Sequence, residues 1–273
     1  MYDYHVHSHF SGDSTEPMEN VVRKGIQLGL KEICFTDHVE FDPAPPYEEE
    51  VFDVKAYEQE IQRLRAEYGT KIFIGMGAEL GYQSHVAERM DEFTRSGNFD
   101  FIMCSLHGVE QLDLHSGSFG TGKSSQDAFR RYFEAYYECV IKNPIFNVLG
   151  HFDFLKRYIP YDNQQVFKDN YELIEATFKI LIQNGKGIEL NSSGFRYNLE
   201  HTLPTFDMLK LYRDLGGEII TTGSDAHTSP YLGHQFAHSH ALLQAAGFKY
   251  ITRFDKMEPE FIRIEDLKSR KHA

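Results

Sequence analysis

Seven short apolar runs, each closing in residues that can bind a metal or handle a proton, constrain this chain more than any other feature. They lie before His5, at Ile33-Cys34-Phe35, at Ile72-Phe73-Ile74, from Phe99 to Cys104, from Phe146 to Leu149, from Gly187 to Leu190 and at Ile219-Ile220-Thr221. In order they close in His5-Val6-His7, Thr36-Asp37-His38, Gly77-Ala78-Glu79, Ser105-Leu106-His107, Gly150-His151-Phe152-Asp153, Glu189-Leu190-Asn191 and Ser224-Asp225-Ala226-His227. Runs this short, rich in β-branched and aromatic residues, suit parallel strands buried on both faces. Tyr250-Ile251 is a candidate eighth.

Helical patterns fill the intervals. Thr15 is placed to cap a helix with Pro17 in its first turn, Val22, Ile26 and Leu30 on one face and Gly29 near its end. Phe129, Phe133, Tyr136 or Tyr137, and Val140 repeat at helical spacing, as do Leu173, Ile174, Phe178 and Leu181, and Pro204 opens a helix through Leu209 and Tyr212. Such stripes predict packed core. Strand and helix alternating in this way predicts an α/β fold, a (β/α) barrel in one domain over residues 1–273. Two connections, Val39 to Asp53 and Gly108 to Ser125, are long for that fold and read as lids or substrate loops.

In a parallel barrel every strand C-terminus opens on one face. The closing residues should therefore converge on one basin. In His5-Val6-His7 the two imidazoles are two residues apart on a strand and point the same way, so both can reach one ion. Imidazole and carboxylate without thiolate suit zinc, manganese or iron in a catalytic site. The ligands exceed the need of one tetrahedral ion, so two or three divalent ions sharing a carboxylate is the expectation. His85, His115, His234, His238, His240 and His272 fall outside the pattern and read as surface or structural.

Charge narrows the partners. Asp plus Glu number 41 against 28 Lys plus Arg, a formal net charge of −13. That field repels a phosphate backbone, so no nucleic-acid partner is expected, and it attracts metals and amine substrates. Cys34, Cys104 and Cys139 form no CxxC pair and read as buried thiols of a reducing compartment. No window approaches the ~18 apolar residues of a membrane span. Met1 to Phe10 carries charge and histidines where a secretory signal would be apolar. The expectation is a cytoplasmic protein with no membrane partner; its oligomeric state is left open.

His5-Val6-His7, Thr36-Asp37-His38, Glu79, Ser105-Leu106-His107-Gly108, Gly150-His151-x-Asp153 and Ser224-Asp225-Ala226-His227 resemble the ordered motifs of the PHP (polymerase and histidinol phosphatase) family. The similarity runs over nearly the whole chain. Length, the Gly150 to Tyr158 segment and Asn191 to Arg196 are most similar to its stand-alone histidinol-phosphate phosphatases. The resemblance implies a distorted (β/α)7 TIM-like barrel with a trinuclear centre at the C-terminal ends of the strands. It assigns one ion to His5, His7, Glu79 and Asp225. A second takes Glu79 as bridge with His107 and His151. A third takes His38 and His227 with one more ligand near residue 13. Phosphatases of this type usually have His there; this chain has Asp13, and His9 competes for the role.

The implied reaction is hydrolysis of a phosphomonoester, L-histidinol phosphate, with a hydroxide bridging two ions attacking phosphorus in line. Arg157 and Arg196 follow the fifth and sixth strands closely and suit a phosphate-binding role, with His201 a further candidate. Asp153 either protonates the leaving alcohol or orients His151. Glu40, Asp42 and Tyr47 of the first long loop are candidate contacts for a substrate with a cationic amine. Two other readings compete. One is a phosphodiesterase or exonuclease on small nucleotides. The other is a nucleotide-binding P-loop, because Gly117-Ser118-Phe119-Gly120-Thr121-Gly122-Lys123-Ser124 matches GxxxxGK[ST]. A P-loop needs a buried strand before its first glycine, and Val109 to His115 is half polar. Lys123 is also a candidate phosphate contact.

Overall fold

A computed structural model describes residues 1–44 and 47–267. Its frame is a parallel sheet of seven strands, β1 (Tyr2–Val6), β2 (Glu32–Phe35), β3 (Phe73–Gly81), β4 (Phe101–Ser105), β5 (Val148–Leu149), β6 (Gly187–Asn191) and β7 (Ile220–Gly223), hydrogen-bonded in that order. A parallel bridge between Val6 and Ala226 and the bond from the His7 N–H to the Ala226 carbonyl bring the last strand beside the first. The sheet is thus a nearly closed barrel, as the alternation of runs predicts. Every residue of β2, β4, β6 and β7 is buried, which is why these strands read as continuous apolar runs.

Helices cover the outside. The first, Met18–Leu28, starts later than the Thr15 cap implies: Pro17 stands at the capping position and no side chain caps the helix. Gly29 closes it with φ 72°, a left-handed conformation that only glycine adopts at no steric cost, and its N–H bonds back to the Gly25 and Ile26 carbonyls. The helix Ser125–Lys142 buries Phe129, Tyr132, Phe133 and Tyr136, which stack through Phe152 onto Phe178 and then Tyr212. The aromatic stripes are core, as expected. Among the described residues no helix is long and apolar enough to cross a membrane.

Two features depart from the regular pattern. In β1, Asp3 pairs with Ile33 but Val6 pairs with Phe35, so three steps on one strand match two on the other. A bulge of this kind re-aims side chains. Tyr4 packs on Phe101 and Phe254 below, while its neighbour His5 reaches Glu79 above. The candidate eighth strand does form, but not in the barrel. Tyr250–Asp255 (β8) and Glu258–Arg263 (β9) make an antiparallel hairpin. It seals the N-terminal end, with Phe254 among Tyr4, Cys34, Phe101, Met103 and Val148.

The P-loop reading fails on context. The segment before Gly117 is a two-residue-per-arm antiparallel hairpin, Gly108–Val109 with Leu112–Asp113, not a buried parallel strand. Lys123 folds back, its Nζ donating to the Phe119 carbonyl at 2.9 Å and lying 3.7 Å from Glu110.

Candidate metal centre

Every residue read as a metal ligand reaches one basin at the C-terminal end of the barrel. β1 supplies His5, the segment after it His7 and Asp13, and the segment after β2 His38. β3 supplies Glu79, and the segments after β4, β5 and β7 bring His107, His151, Asp225 and His227. Glu79 is at the centre and fully buried. Its Oε2 lies 3.2 Å from His5 Nε2, 3.1 Å from His38 Nδ1 and 3.6 Å from His7 Nε2. Its Oε1 lies 2.9 Å from His151 Nε2 and 3.4 Å from His107 Nε2. Asp225 Oδ1 stands 3.6 Å from His7 Nε2, 3.8 Å from His5 Nε2 and 3.5 Å from His227 Nδ1.

Asp13, not His9, approaches the outer pair. Its Oδ2 is 2.9 Å from His227 Nε2 and 3.6 Å from His38 Nε2. His9 is exposed and lies against Phe10.

These spacings fit divalent ions. Two ligand atoms bound at about 2.0–2.1 Å with tetrahedral angles lie roughly 3.3 Å apart. Four overlapping groups have ligand atoms within 4.8 Å of one another: His5, His7, Asp225; His5, Glu79, His151; His38, Glu79, His107; and His7, Asp13, His38, His227. Glu79 is shared by two groups, as a bridging carboxylate would be. The division into three ions is less exclusive than the resemblance implies, because His5, His7 and His38 each belong to two groups. The orphaned atoms agree. His5 Nε2, His7 Nε2, His38 Nδ1 and Glu79 Oε2 are buried with no hydrogen-bond partner. Each such atom costs about 1–3 kcal/mol unless something binds it.

Without an ion the basin is electrostatically polarised. Burial opposes charge on Glu79, yet His5, His107 and His38 hold its carboxyl well below the usual range. Burial also opposes charge on His5, but Glu189, Glu79 and Asp225 together hold its pKa well above the ordinary imidazole value. His7 goes the other way, pushed well down by burial and by the neighbouring His227, His38 and His5. Neutral imidazole and ionised carboxylate are the ligating forms.

Sequence reasoning missed the partners of the ligands' other ring nitrogens. His5 Nδ1 lies 2.8 Å from Glu189 Oε1. His7 Nδ1 lies 3.0 Å from Ser11 Oγ, which donates to Asp37 at 2.9 Å. His107 Nδ1 pairs with Glu40. A ligating histidine needs an acceptor for its second nitrogen, so carboxylates at strand ends carried the signal. Two glycines make the room: a Cβ on Gly223 would collide with Glu189, and one on Gly81 with Glu40. Glu40 is therefore turned inward toward a ligand, not outward toward a substrate. Asp42 faces away and pairs with His85 at 2.8 Å, while Tyr47 is exposed.

The residues read as catalytic divide. Arg157 is half-buried beside the basin, its guanidinium stacked on Tyr197, and among the described residues it forms no salt bridge. Burial lowers its pKa, against the pull of Tyr158 and Asp225. Arg196 spends two N–H groups on the backbone, donating to the Ser224 and Asp225 carbonyls at 2.5 and 2.6 Å. That bond steadies Asp225, whose φ of 55° is unfavourable for a side-chain-bearing residue. His201 is half-buried with Nδ1 2.8 Å from the Thr202 carbonyl. Asp153 is not bonded to His151. Its Oδ2 takes the Lys156 ammonium at 2.8 Å and the Thr205 N–H at 3.1 Å. His85 and His115 form outer contacts with Asp42 and Tyr158, and His272 lies outside the described residues.

Comparison with known proteins agrees with this geometry. A PHP domain model matches residues 3–193. Histidinol-phosphatase of Lactococcus lactis is 33% identical over 259 residues, covering 94% of this chain and 95% of the relative. The crystal structure of the L. lactis histidinol phosphate phosphatase, complexed with zinc, L-histidinol and phosphate, superposes with a TM-score of 0.87 at 31% identity, over 95% of this chain and 98% of that one. A Listeria monocytogenes structure at 16% identity, covering 87% of this chain and 99% of its own, superposes with a TM-score of 0.75 and shows the fold alone. From matched sequence, barrel and buried ligand cluster together, this chain is a member of the PHP domain family.

Proposed function

We propose that this chain is a metal-dependent phosphomonoesterase that hydrolyses L-histidinol phosphate to L-histidinol and phosphate. The observation that carries the reading is the set of four overlapping ligand groups, two of them sharing Glu79, next to an Arg157 that forms no salt bridge among the described residues. The likeness to the L. lactis enzyme, held with zinc, L-histidinol and phosphate, supplies the substrate. Asp225 and His227 follow the matched segment 3–193, so the functional unit is one domain running at least through β7.

His5, His7, Asp13, His38, Glu79, His107, His151, Asp225 and His227 would hold two to three divalent ions, which supply an activated water and positive charge for the phosphoryl group. Arg157 takes the phosphoryl oxygens with a guanidinium fork. Because no carboxylate among the described residues pairs with it, its charge is directed to the substrate. Arg196 is a positioning residue that fixes the Ser224-Asp225 backbone, with its remaining N–H groups free for the same anion. His201, with Nδ1 committed to Thr202, keeps Nε2 to exchange a proton with the leaving alcohol. Asp153 serves structure: held by Lys156, it ties the segment after β5 to Thr205. The net charge of −13 favours a substrate that carries a cationic amine.

The test is steady-state phosphate release from L-histidinol phosphate, a nucleoside monophosphate and a phosphodiester, using zinc- or manganese-loaded protein of measured metal content. Selective release from histidinol phosphate with two to three metals per chain is expected. Preference for the diester, or absence of stoichiometric metal, overturns the reading.

A further inference from the structure

We infer that Glu189 is a positioning residue that sets the ring tautomer of His5 and the turn at His151, and so controls whether two strands on different sides of the barrel can ligate the same centre. The inference rests on the metal-centre reading above. Glu189 is fully buried in the middle of β6. Its two oxygens divide their work. Oε1 takes His5 Nδ1 at 2.8 Å, and Oε2 takes the His151 backbone N–H at 2.8 Å and Asn191 Nδ2 at 3.1 Å. With Nδ1 donating to a carboxylate, the proton of His5 is fixed there and Nε2 presents its lone pair to the basin. Nε2 is the orphaned atom 3.2 Å from Glu79.

The second bond acts on a different ligand. His151 has φ 20°, outside the regions a residue with a Cβ ordinarily occupies. Its amide points inward to Glu189, which holds the turn that places His151 Nε2 2.9 Å from Glu79 Oε1. Gly223 is part of the arrangement: a Cβ there would occupy the space of the Glu189 carboxylate and crowd His5.

The chemistry makes Glu189→Gln a sharp probe. A glutamine has the same shape but one acceptor. Its oxygen at the Oε2 position satisfies the His151 and Asn191 donors, which forces its NH2 onto His5 Nδ1. His5 must then accept at Nδ1 and carry its proton at Nε2, the nitrogen needed for the ion. The reverse placement leaves three donors facing one another. Zinc affinity is measured by competition with a chromophoric chelator, and the visible spectrum of the cobalt(II)-loaded protein reports the ligand set. We expect Glu189→Gln to bind zinc about 10–100-fold more weakly, with an altered cobalt spectrum, and to lose kcat more than KM for the phosphomonoester. Glu189→Asp keeps the charge but is too short to reach both partners; it covers the case in which the glutamine variant does not fold, and a loss of at least about threefold is expected. Wild-type zinc affinity and an unchanged cobalt spectrum in the folded variants overturn the role of Glu189 alone. Failure of the wild-type protein to bind zinc overturns the metal centre and this inference together.

Discussion

The two ends of the barrel bury charge in opposite ways. At the N-terminal end Tyr4, Glu32 and Arg253 form a closed set: the Tyr4 hydroxyl donates to Glu32, Arg253 Nε lies 2.7 Å from the same carboxylate, and the Phe254 N–H donates to the Tyr4 oxygen at 2.7 Å. None of these groups is left without a partner. At the C-terminal end His5, His7, His38 and Glu79 each present a buried atom with none. Both clusters have the same burial, so burial of charge does not mark function. What marks it is incompleteness: a stabilising network satisfies itself, whereas a binding site is satisfied by something the chain does not contain.

The largest effect is expected where incompleteness is greatest. Glu79→Gln removes the shared carboxylate from two ligand groups. Several kcal/mol of transition-state stabilisation are at stake, so kcat/KM should fall at least about a thousand-fold, and elemental analysis should show lost metal. A variant that keeps both metal and rate breaks the comparison. Next, Arg157→Ala should lower kcat/KM for the phosphomonoester about 10–10²-fold, the worth of charge-assisted bonds to phosphate at about 1.5–3 kcal/mol, with metal content unchanged. Steady-state kinetics beside elemental analysis separates the two.

The self-satisfied end should respond to pH instead. Burial pushes Glu32 up to about 7, against the opposing pull of Tyr4 and Arg253. A carboxyl with a raised folded-state pKa contributes stability that is complete below its unfolded value near 4.5 and lost as pH rises through about 7. The stability advantage of wild type over Glu32→Gln should therefore shrink from pH 5 to pH 8, by up to ~3 kcal/mol. Urea melts of both metal-free proteins at the two pH values measure it, and the shared histidine cluster cancels in the difference. A constant or growing advantage refutes the assignment. The smallest effect is predicted for Lys123→Ala, whose ammonium is occupied by its own loop. Its kcat/KM should stay within about twofold of wild type; a tenfold loss would return the Gly117 to Ser124 loop to the active site.

The clustering of the candidate ligands was legible in the sequence because a parallel barrel turns positions at strand ends into neighbours. His5 and Asp225 are 220 residues apart in the chain yet predictable as partners. What stayed hidden was orientation. The bulge in β1, which lets Tyr4 and His5 both face inward, leaves no compositional trace. Asp153 follows His151 by two residues and looked like its partner, but the turn at His151 sends its side chain to Lys156. Glu40 read as a substrate contact because nothing in its neighbourhood announces that Gly81 opens a slot for it. Of the hairpin β8–β9 only the first arm was visible, at Tyr250-Ile251, while its place under the barrel depends on contacts with residues about 250 positions earlier, such as Phe254 with Tyr4.

That hairpin has a consequence for the order in which the protein becomes whole. A ribosome delivers residues 250–263 after every barrel strand and every candidate metal ligand has been made. Until then Tyr4, Phe101 and Met103 face an open floor, and Glu32 lacks Arg253. A nascent or prematurely terminated chain would thus hold a complete set of metal ligands on a scaffold with a wet, uncompensated base. Such chains present to proteases and chaperones the aromatic surface by which unfinished proteins are recognised, so the hairpin also marks the barrel as sealed.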